Sequence, residues 1–137
     1  MTVRFGTCLA LSLCLSATCG AAQERIPPEV FLDAIVGKTL TFHAFPDGWF
    51  VGTEEFLRRD LSVWRQRDDV CIYGRITIEN EQICFDYDGL ANMPVCWATF
   101  SDGDRFLVMH GGLGDFEIQE VTSISEDGLS CPVKPGV

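Results

Sequence analysis

Cysteines are the residues of this chain whose type and spacing bear most directly on chemistry. Seven are present, and three of them fall within residues 1–22. The other four are Cys71, Cys84, Cys96 and Cys131. Zinc sites and thioredoxin-like redox sites usually bring two cysteines together as C-x-x-C, and the sequence contains no such pair. In an exported small domain, an even number of separated cysteines predicts structural disulfides.

Four cysteines allow three pairings, and the local pattern favours one of them. Ile83, Phe85 and Tyr87 alternate with Cys84 on one side of a predicted turn, and Cys96 occupies a similar alternating segment on the other side. In a hairpin of this register the two cysteines lie nearly opposite each other, although a slip of one residue would undo the match. We therefore favour a Cys84–Cys96 pair, with Cys71–Cys131 tying the C-terminal tail to the sheet.

Residues 1–22 have the layout of a secretory signal peptide. Arg4 is followed by an uncharged, mainly apolar run over residues 5–17, and small residues end at Ala22. The run is about 13 residues, shorter than the roughly 20 that a membrane-spanning helix needs. We predict cleavage after Ala22, a single domain over residues 23–137 without a membrane span, and a location in the periplasm or outside the cell.

The net charge of −10 bears on the class of partner. Nucleic acids and anionic membrane surfaces attract positively charged proteins. The sequence therefore argues against a nucleic-acid partner and against an anionic membrane surface. The acidic charge favours solubility outside the cytoplasm, with a basic partner as the alternative. As partners we retain a small apolar ligand or another envelope protein.

Turn residues and alternating apolar positions predict an all-β fold. Pro28, Glu29 and Gly37 are typical of the two ends of one short N-terminal helix. Beyond it, turn signals every 8 to 12 residues predict an antiparallel meander of about eight short strands, as a small barrel or a sandwich. The predicted strands are Thr39–Phe45, Trp49–Phe56, Leu61–Gln66, Val70–Ile78, Gln82–Tyr87, Pro94–Ser101, Arg105–His110 and Phe116–Ser123.

Three polar patterns could in principle carry chemistry. Turns at Asp86–Gly89 and Asp102–Arg105 each supply two carboxylates, fewer than a calcium loop uses. The only histidines, His43 and His110, have no nucleophile beside them in the sequence. Residues 110–114, HGGLG, resemble an esterase oxyanion loop but lack the accompanying G-x-S-x-G motif. We predict no catalytic residue, metal site or cofactor from these patterns.

Aromatic residues offer a different kind of site. If the sheet closes into a barrel, inward-facing rings would line a ligand cavity. The rings that we select for such a cavity are Phe42, Trp49, Trp64, Phe85 and Trp97, within a wider aromatic set that adds Phe45, Phe50, Phe56 and Phe106.

The segment 48–121 contains a Trp, a Cys, a Gly-Arg pair, I-C-F-x-Y, a short acidic loop and C-W. These are Trp64, Cys71, Gly74-Arg75, Ile83-Cys84-Phe85 with Tyr87, and Cys96-Trp97. The pattern resembles small exported proteins of unknown function from alphaproteobacteria of the Rhodobacterales type. Ile76 departs from it, where the pattern has an aromatic residue. The resemblance implies an envelope location and structural cysteines, and it implies no substrate.

Taken together, the sequence predicts an exported, periplasmic binding module without enzymatic activity. It would hold a small apolar ligand or a protein partner. A small hydrolase that uses carboxylates in turns, and a structural envelope component, are the alternatives.

Overall fold

The computed structural model describes residues 23–90, 94–111 and 116–132 of the chain. The predicted signal peptide lies outside these residues. The described elements are β1 Glu24–Ile26, α1 Pro28–Ile35, β2 Thr39–Ala44, β3 Phe50–Arg58, β4 Leu61–Arg65, β5 Cys71–Glu79, β6 Gln82–Tyr87, β7 Val95–Asp102, β8 Arg105–Gly111 and β9 Phe116–Ser125.

Strands β2 to β9 form a closed antiparallel barrel. Each strand pairs with the next along the chain, and β9 returns to pair with β2. The predicted all-β meander with one short helix is therefore confirmed, and its architecture is a barrel. Short turns permit the meander: Asn80 and Glu81 adopt left-handed backbone angles (φ 49° and 60°) between β5 and β6, as two-residue hairpin loops require.

Strand polarity gives the barrel two different ends. α1 runs into β2, and the backbone N–H of Gly37 donates to the carbonyl of Phe56 near the end of β3, at 2.7 Å. We call this the helix end, where short turns also follow β3, β5 and β7. The opposite end, which we call the loop end, receives the connections that follow β2, β4, β6 and β8.

α1 covers the helix end of the barrel. Pro28 occupies its first turn, as the sequence predicted, and Gly37 follows in a left-handed conformation (φ 81°). The helix buries Phe31, Leu32 and Ile35 in the same hydrophobic cluster as barrel residues. Burying side chains of this size stabilises the fold by roughly 1.5–3 kcal/mol each.

β1 is an element that the sequence did not predict. The sequence indicates no strand before the helix, whereas Glu24–Ile26 pairs with the second half of β7. It lies beside the part of β7 that β6 is too short to reach. The Thr99 hydroxyl donates to the Ile26 carbonyl at 2.8 Å, and the Arg25 guanidinium donates to the Glu81 carbonyl at 2.7 Å. Three residues of mixed polarity are too few to show a strand's alternation.

The C-terminal tail crosses the outer face of β3, β4 and β5. The Leu129 N–H donates to Glu55 Oε2 at 2.8 Å, and the Arg65 guanidinium donates to the Leu129 carbonyl at 2.9 Å. The Tyr73 hydroxyl donates to the Pro132 carbonyl. The tail is then fixed covalently, because Cys131 is joined to Cys71 at the start of β5.

The second disulfide joins Cys84 to Cys96. These residues are direct partners in the β6–β7 register, with Cα atoms 4.0 Å apart. Both pairs are those that the sequence favoured. Bonds of this kind form in oxidising compartments, and they are compatible with an exported protein.

Candidate functional site

The candidate site is the interior of the barrel. Successive side chains of a strand point to opposite faces, so alternate residues of β2 to β9 point inward, except where register shifts interrupt the pairing of β3 and β9 with their neighbours. Eight strands enclose a space that side chains either fill or share with one small ligand. Here they leave a cavity of about 250 Å³.

Apolar and aromatic side chains form most of the cavity wall. They are Phe31, Phe42, Val51, Phe56, Trp64, Ile83, Phe85, Tyr87, Leu90, Val95, Trp97 and Val108. The polar side chains of the wall are Glu54, Gln66, Thr99, Glu117 and Gln119. Phe31 belongs to α1, whereas Gln66, Leu90 and Glu117 come from the loop end, so the cavity runs between the two ends. None of the described lining residues carries a positive charge.

Two glycines make room for the largest rings of the wall. A methyl group at Gly52 would lie 2.7 Å from Cη2 of Trp64, and one at Gly74 would lie 2.8 Å from Cδ1 of Tyr87. Carbon atoms cannot approach so closely without displacement. Each glycine therefore lets a ring on the neighbouring strand lie flat against the backbone.

The aromatic rings are in mutual contact. Phe85 and Tyr87 are stacked, with centroids 5.7 Å apart and planes 6° from parallel. Phe56 meets Phe85 edge to face at 6.1 Å, and Phe42 meets Trp64 at 5.9 Å. Such contacts hold flat apolar surfaces in fixed positions, which is suited to binding a ring or a chain of similar thickness.

Among the described residues of this wall, Glu54 is the one buried carboxyl group, with 2% of its surface exposed. The Tyr87 hydroxyl donates to its Oε2 at 2.7 Å. The Ser62 hydroxyl also lies close to the carboxyl group, but within the described residues neither Oγ of Ser62 nor Oε1 of Glu54 forms a hydrogen bond of good geometry. A buried polar atom without a partner is costly, and its explanations include backbone or side-chain strain, a catalytic role, and a bound water or ion.

The protonation of Glu54 and Tyr87 follows from their burial. Burial raises the pKa of Glu54 from 4.5 to about 7, and the nearby hydroxyl groups of Ser62 and Tyr87 offset part of the rise. Burial, followed by the neighbouring Glu54, raises the pKa of Tyr87 well above 10. The Tyr87 hydroxyl therefore keeps its proton and remains a hydrogen-bond donor. Glu54 changes between its neutral and its ionised form near neutral pH.

Four of the five selected aromatic residues line the cavity: Phe42, Trp64, Phe85 and Trp97. Trp49 lies apart from this cavity, because it precedes the first residue of β3 and leaves 52% of its surface exposed. Of the wider set, Phe56 lines the cavity, whereas Phe45, Phe50 and Phe106 do not.

The remaining polar patterns of the sequence are the two Asp-containing turns, the two histidines and the glycine-rich segment. The turn after β6 lies at the loop end and the turn after β7 lies at the helix end, so Asp88 and Asp104 cannot share one site. The His43 ring bonds Thr122 Oγ1 at 2.7 Å, and the His110 ring packs on Trp97 at 5.2 Å. Residues 112–114 of the glycine-rich segment lie outside the described part of the chain. Within that part, no three Cys, His, Asp or Glu side chains gather as metal ligands.

Glu54, Tyr87 and Phe31 are site residues that the sequence reasoning missed. Glu54 and Glu55 are adjacent, so one of them must point inward in any strand. The pattern that could have identified the inward residue is that Gly52 and Phe56 lie on the same face as Glu54. Phe31 was not selected because its role depends on how α1 docks onto the barrel.

Within the described residues, no helix has the length and apolar character needed to cross a membrane. Comparisons of the chain with protein-family models, with curated proteins and with solved structures found no match.

Proposed function

We propose that this protein is an exported binding protein that holds one small, mainly apolar molecule inside its barrel. The observation that carries the proposal is the cavity of about 250 Å³ with aromatic walls. Apolar surface gains free energy when it leaves water, at roughly 25 cal/mol per Å². A molecule that fills the cavity would bury much of its apolar surface against the aromatic walls, as ligands of small barrels do.

The size of the cavity limits the ligand. An apolar protein cavity of about 150 Å³ is known to hold benzene. A cavity of about 250 Å³ suits a single ring with a short substituent or a short branched chain. A folded lipid or a dinucleotide is too large.

Two features support a location outside the cytoplasm, in the periplasm or the surrounding medium. The N-terminal residues have the composition of a signal peptide. The two disulfides fix the tail and the β6–β7 hairpin, and such bonds persist where thiols are not kept reduced. A rigid barrel of this kind would carry or sense its ligand in that compartment.

The proposal predicts that the protein binds toluene and that filling the cavity prevents it. We expect wild-type protein to bind toluene with a dissociation constant on the order of 1 mM or below, measured by calorimetry. Val108→Phe adds a ring to the inner face of β8, where the ligand would lie. This variant should bind at least about tenfold more weakly, because ring and ligand would compete for one volume.

Val70→Phe is the matched control, since it makes the same change at an exposed position of the loop end. It should bind toluene as the wild type does. Thermal unfolding and near-ultraviolet circular dichroism would show that both variants are folded. Equal binding by Val108→Phe and the wild type, or no binding by the folded wild type, would contradict the proposal.

A further inference from the structure

The cavity contains an unused acceptor. Among the described residues, Oε1 of Glu54 has no hydrogen-bond partner, while Oε2 already accepts from Tyr87. The carboxyl group lies near the middle of β3, on the wall of the cavity and away from both of its ends, with the Ser62 hydroxyl beside it. Oε1 has almost no accessible surface, so a ligand N–H would reach it by displacing the side chains that cover it.

We propose that the ligand is a small organic ammonium compound, an apolar ring or short chain with one amino group, whose N–H donates to Glu54 Oε1. The inference rests on the proposed function, because it names the chemical class that the same cavity takes. The proposal predicts that the cavity binds amines more tightly than alcohols, hydrocarbons or carboxylic acids of the same size.

Charge is the first argument for an ammonium group. The wall carries two carboxyl groups, Glu54 and Glu117, and no Lys, Arg or His among its described residues. An anionic ligand would have no cation to pair with and would lie close to Glu54. A buried charge without a partner is costly, whereas a cation would be paired directly. The net charge of −10 also attracts cations to the protein surface.

The aromatic wall is the second argument. Trp64 is the direct cross-strand neighbour of Glu54, which places their side chains about 5 Å apart at Cβ. Tyr87 reaches the same carboxyl group from β6. Faces of aromatic rings attract cations, and indole does so most strongly. A carboxylate next to such rings is the arrangement that recognises an amine with an apolar body.

The third argument is the strength of the hydrogen bond between an ammonium group and the Glu54 carboxylate. A hydrogen bond between an ammonium group and a carboxylate is about twice as strong as one between neutral groups. The ammonium group would also favour the ionised form of Glu54, so the burial that now disfavours the carboxylate would be offset. A hydroxyl ligand can fill the same acceptor, but it brings no charge to compensate the carboxylate.

Benzylamine and benzyl alcohol are suitable probes, since they differ only in the polar group. Calorimetry with wild-type protein at neutral pH should show benzylamine bound about tenfold or more tightly than benzyl alcohol. Glu54→Gln keeps the size of the side chain and removes its charge. In this variant the preference for the amine should disappear, while the affinity for benzyl alcohol changes by less than about threefold.

Glu120→Gln is the matched control, because it makes the same change at a position of β9 between the inward-facing Gln119 and Val121. It should keep the full preference for benzylamine. Equal affinities of the wild type for the two probes, or a preference that persists in Glu54→Gln, would overturn the inference and leave the apolar-ligand proposal standing. If toluene and both probes fail to bind folded wild-type protein, the proposed function itself fails.

Discussion

Replacing Cys71 and Cys131 together with alanine is expected to lower the free energy of unfolding by about 4 kcal/mol. The bond closes a segment of 60 residues, so its loss greatly increases the freedom of the unfolded chain. It also releases the tail that covers the outer face of β3 to β5. Urea denaturation of the variant and of the wild type, analysed by linear extrapolation, would measure the difference.

The second disulfide provides the control. Cys84 and Cys96 are 12 residues apart, and the same chain-entropy relation gives about 3 kcal/mol for a double alanine variant. The backbone N–H of Leu129 should lose protection from hydrogen exchange in the Cys71/Cys131 variant alone. A Cys71/Cys131 variant that is as stable as the wild type, with Leu129 still protected, would show that the tail is held by its other contacts.

Glu54→Gln is expected to remove a large part of the pH dependence of stability. The pKa of Glu54 is about 7 in the folded protein, against 4.5 for the ordinary group. Between these values the folded state binds more protons than the unfolded state, so stability falls as the pH rises. The stabilisation is complete below about pH 4.5 and lost above about pH 7, a change of about 3 kcal/mol.

Unfolding free energies of the wild type and the variant, measured from pH 4 to pH 8, would test this expectation. The difference between the two proteins isolates Glu54 from the other titrating groups. It should shift in favour of glutamine by about 3 kcal/mol as the pH rises through this range. Parallel profiles for wild type and Glu54→Gln would mean that the carboxyl group is not buried in solution.

The strands could be predicted because their signals are local. Alternation and turn residues identified all eight barrel strands to within a few residues of their ends. The Cys84–Cys96 pair followed from the hairpin register for the same reason. Barrel closure was not predictable, because it depends on β2 pairing with β9 across most of the domain, and no local pattern records that contact.

The site was predictable only in part. Aromatic residues at alternating positions indicated most of the ring wall, whereas Trp49 lies outside it because its position falls just before β3 begins. The acid at the centre of the site could not be selected among the 20 acidic residues. Glu54 and Glu55 differ only in which face they take, and the register of β3 against β2 and β4 decides that.

The residues that carry the resemblance to exported alphaproteobacterial proteins take on specific positions in the fold. Trp64, Ile83, Phe85, Tyr87 and Trp97 line the cavity. Gly74 makes room for Tyr87, and the three cysteines of the pattern form disulfides. Membership of that group stays a prediction. In this chain, most of these residues therefore belong to the wall of one cavity or to its disulfides, whereas Arg75 is exposed.

A methyl NMR titration of the wild-type protein with toluene tests most directly whether the barrel interior is a ligand site. We expect saturable shifts for the methyl groups of Ile83, Val95 and Val108, which line the cavity. Val63, on the outer face of β4, and Val70, at the exposed loop end, should not shift. Shifts at Val63 or Val70 with the inner methyl groups unchanged would place binding on the surface and contradict the account.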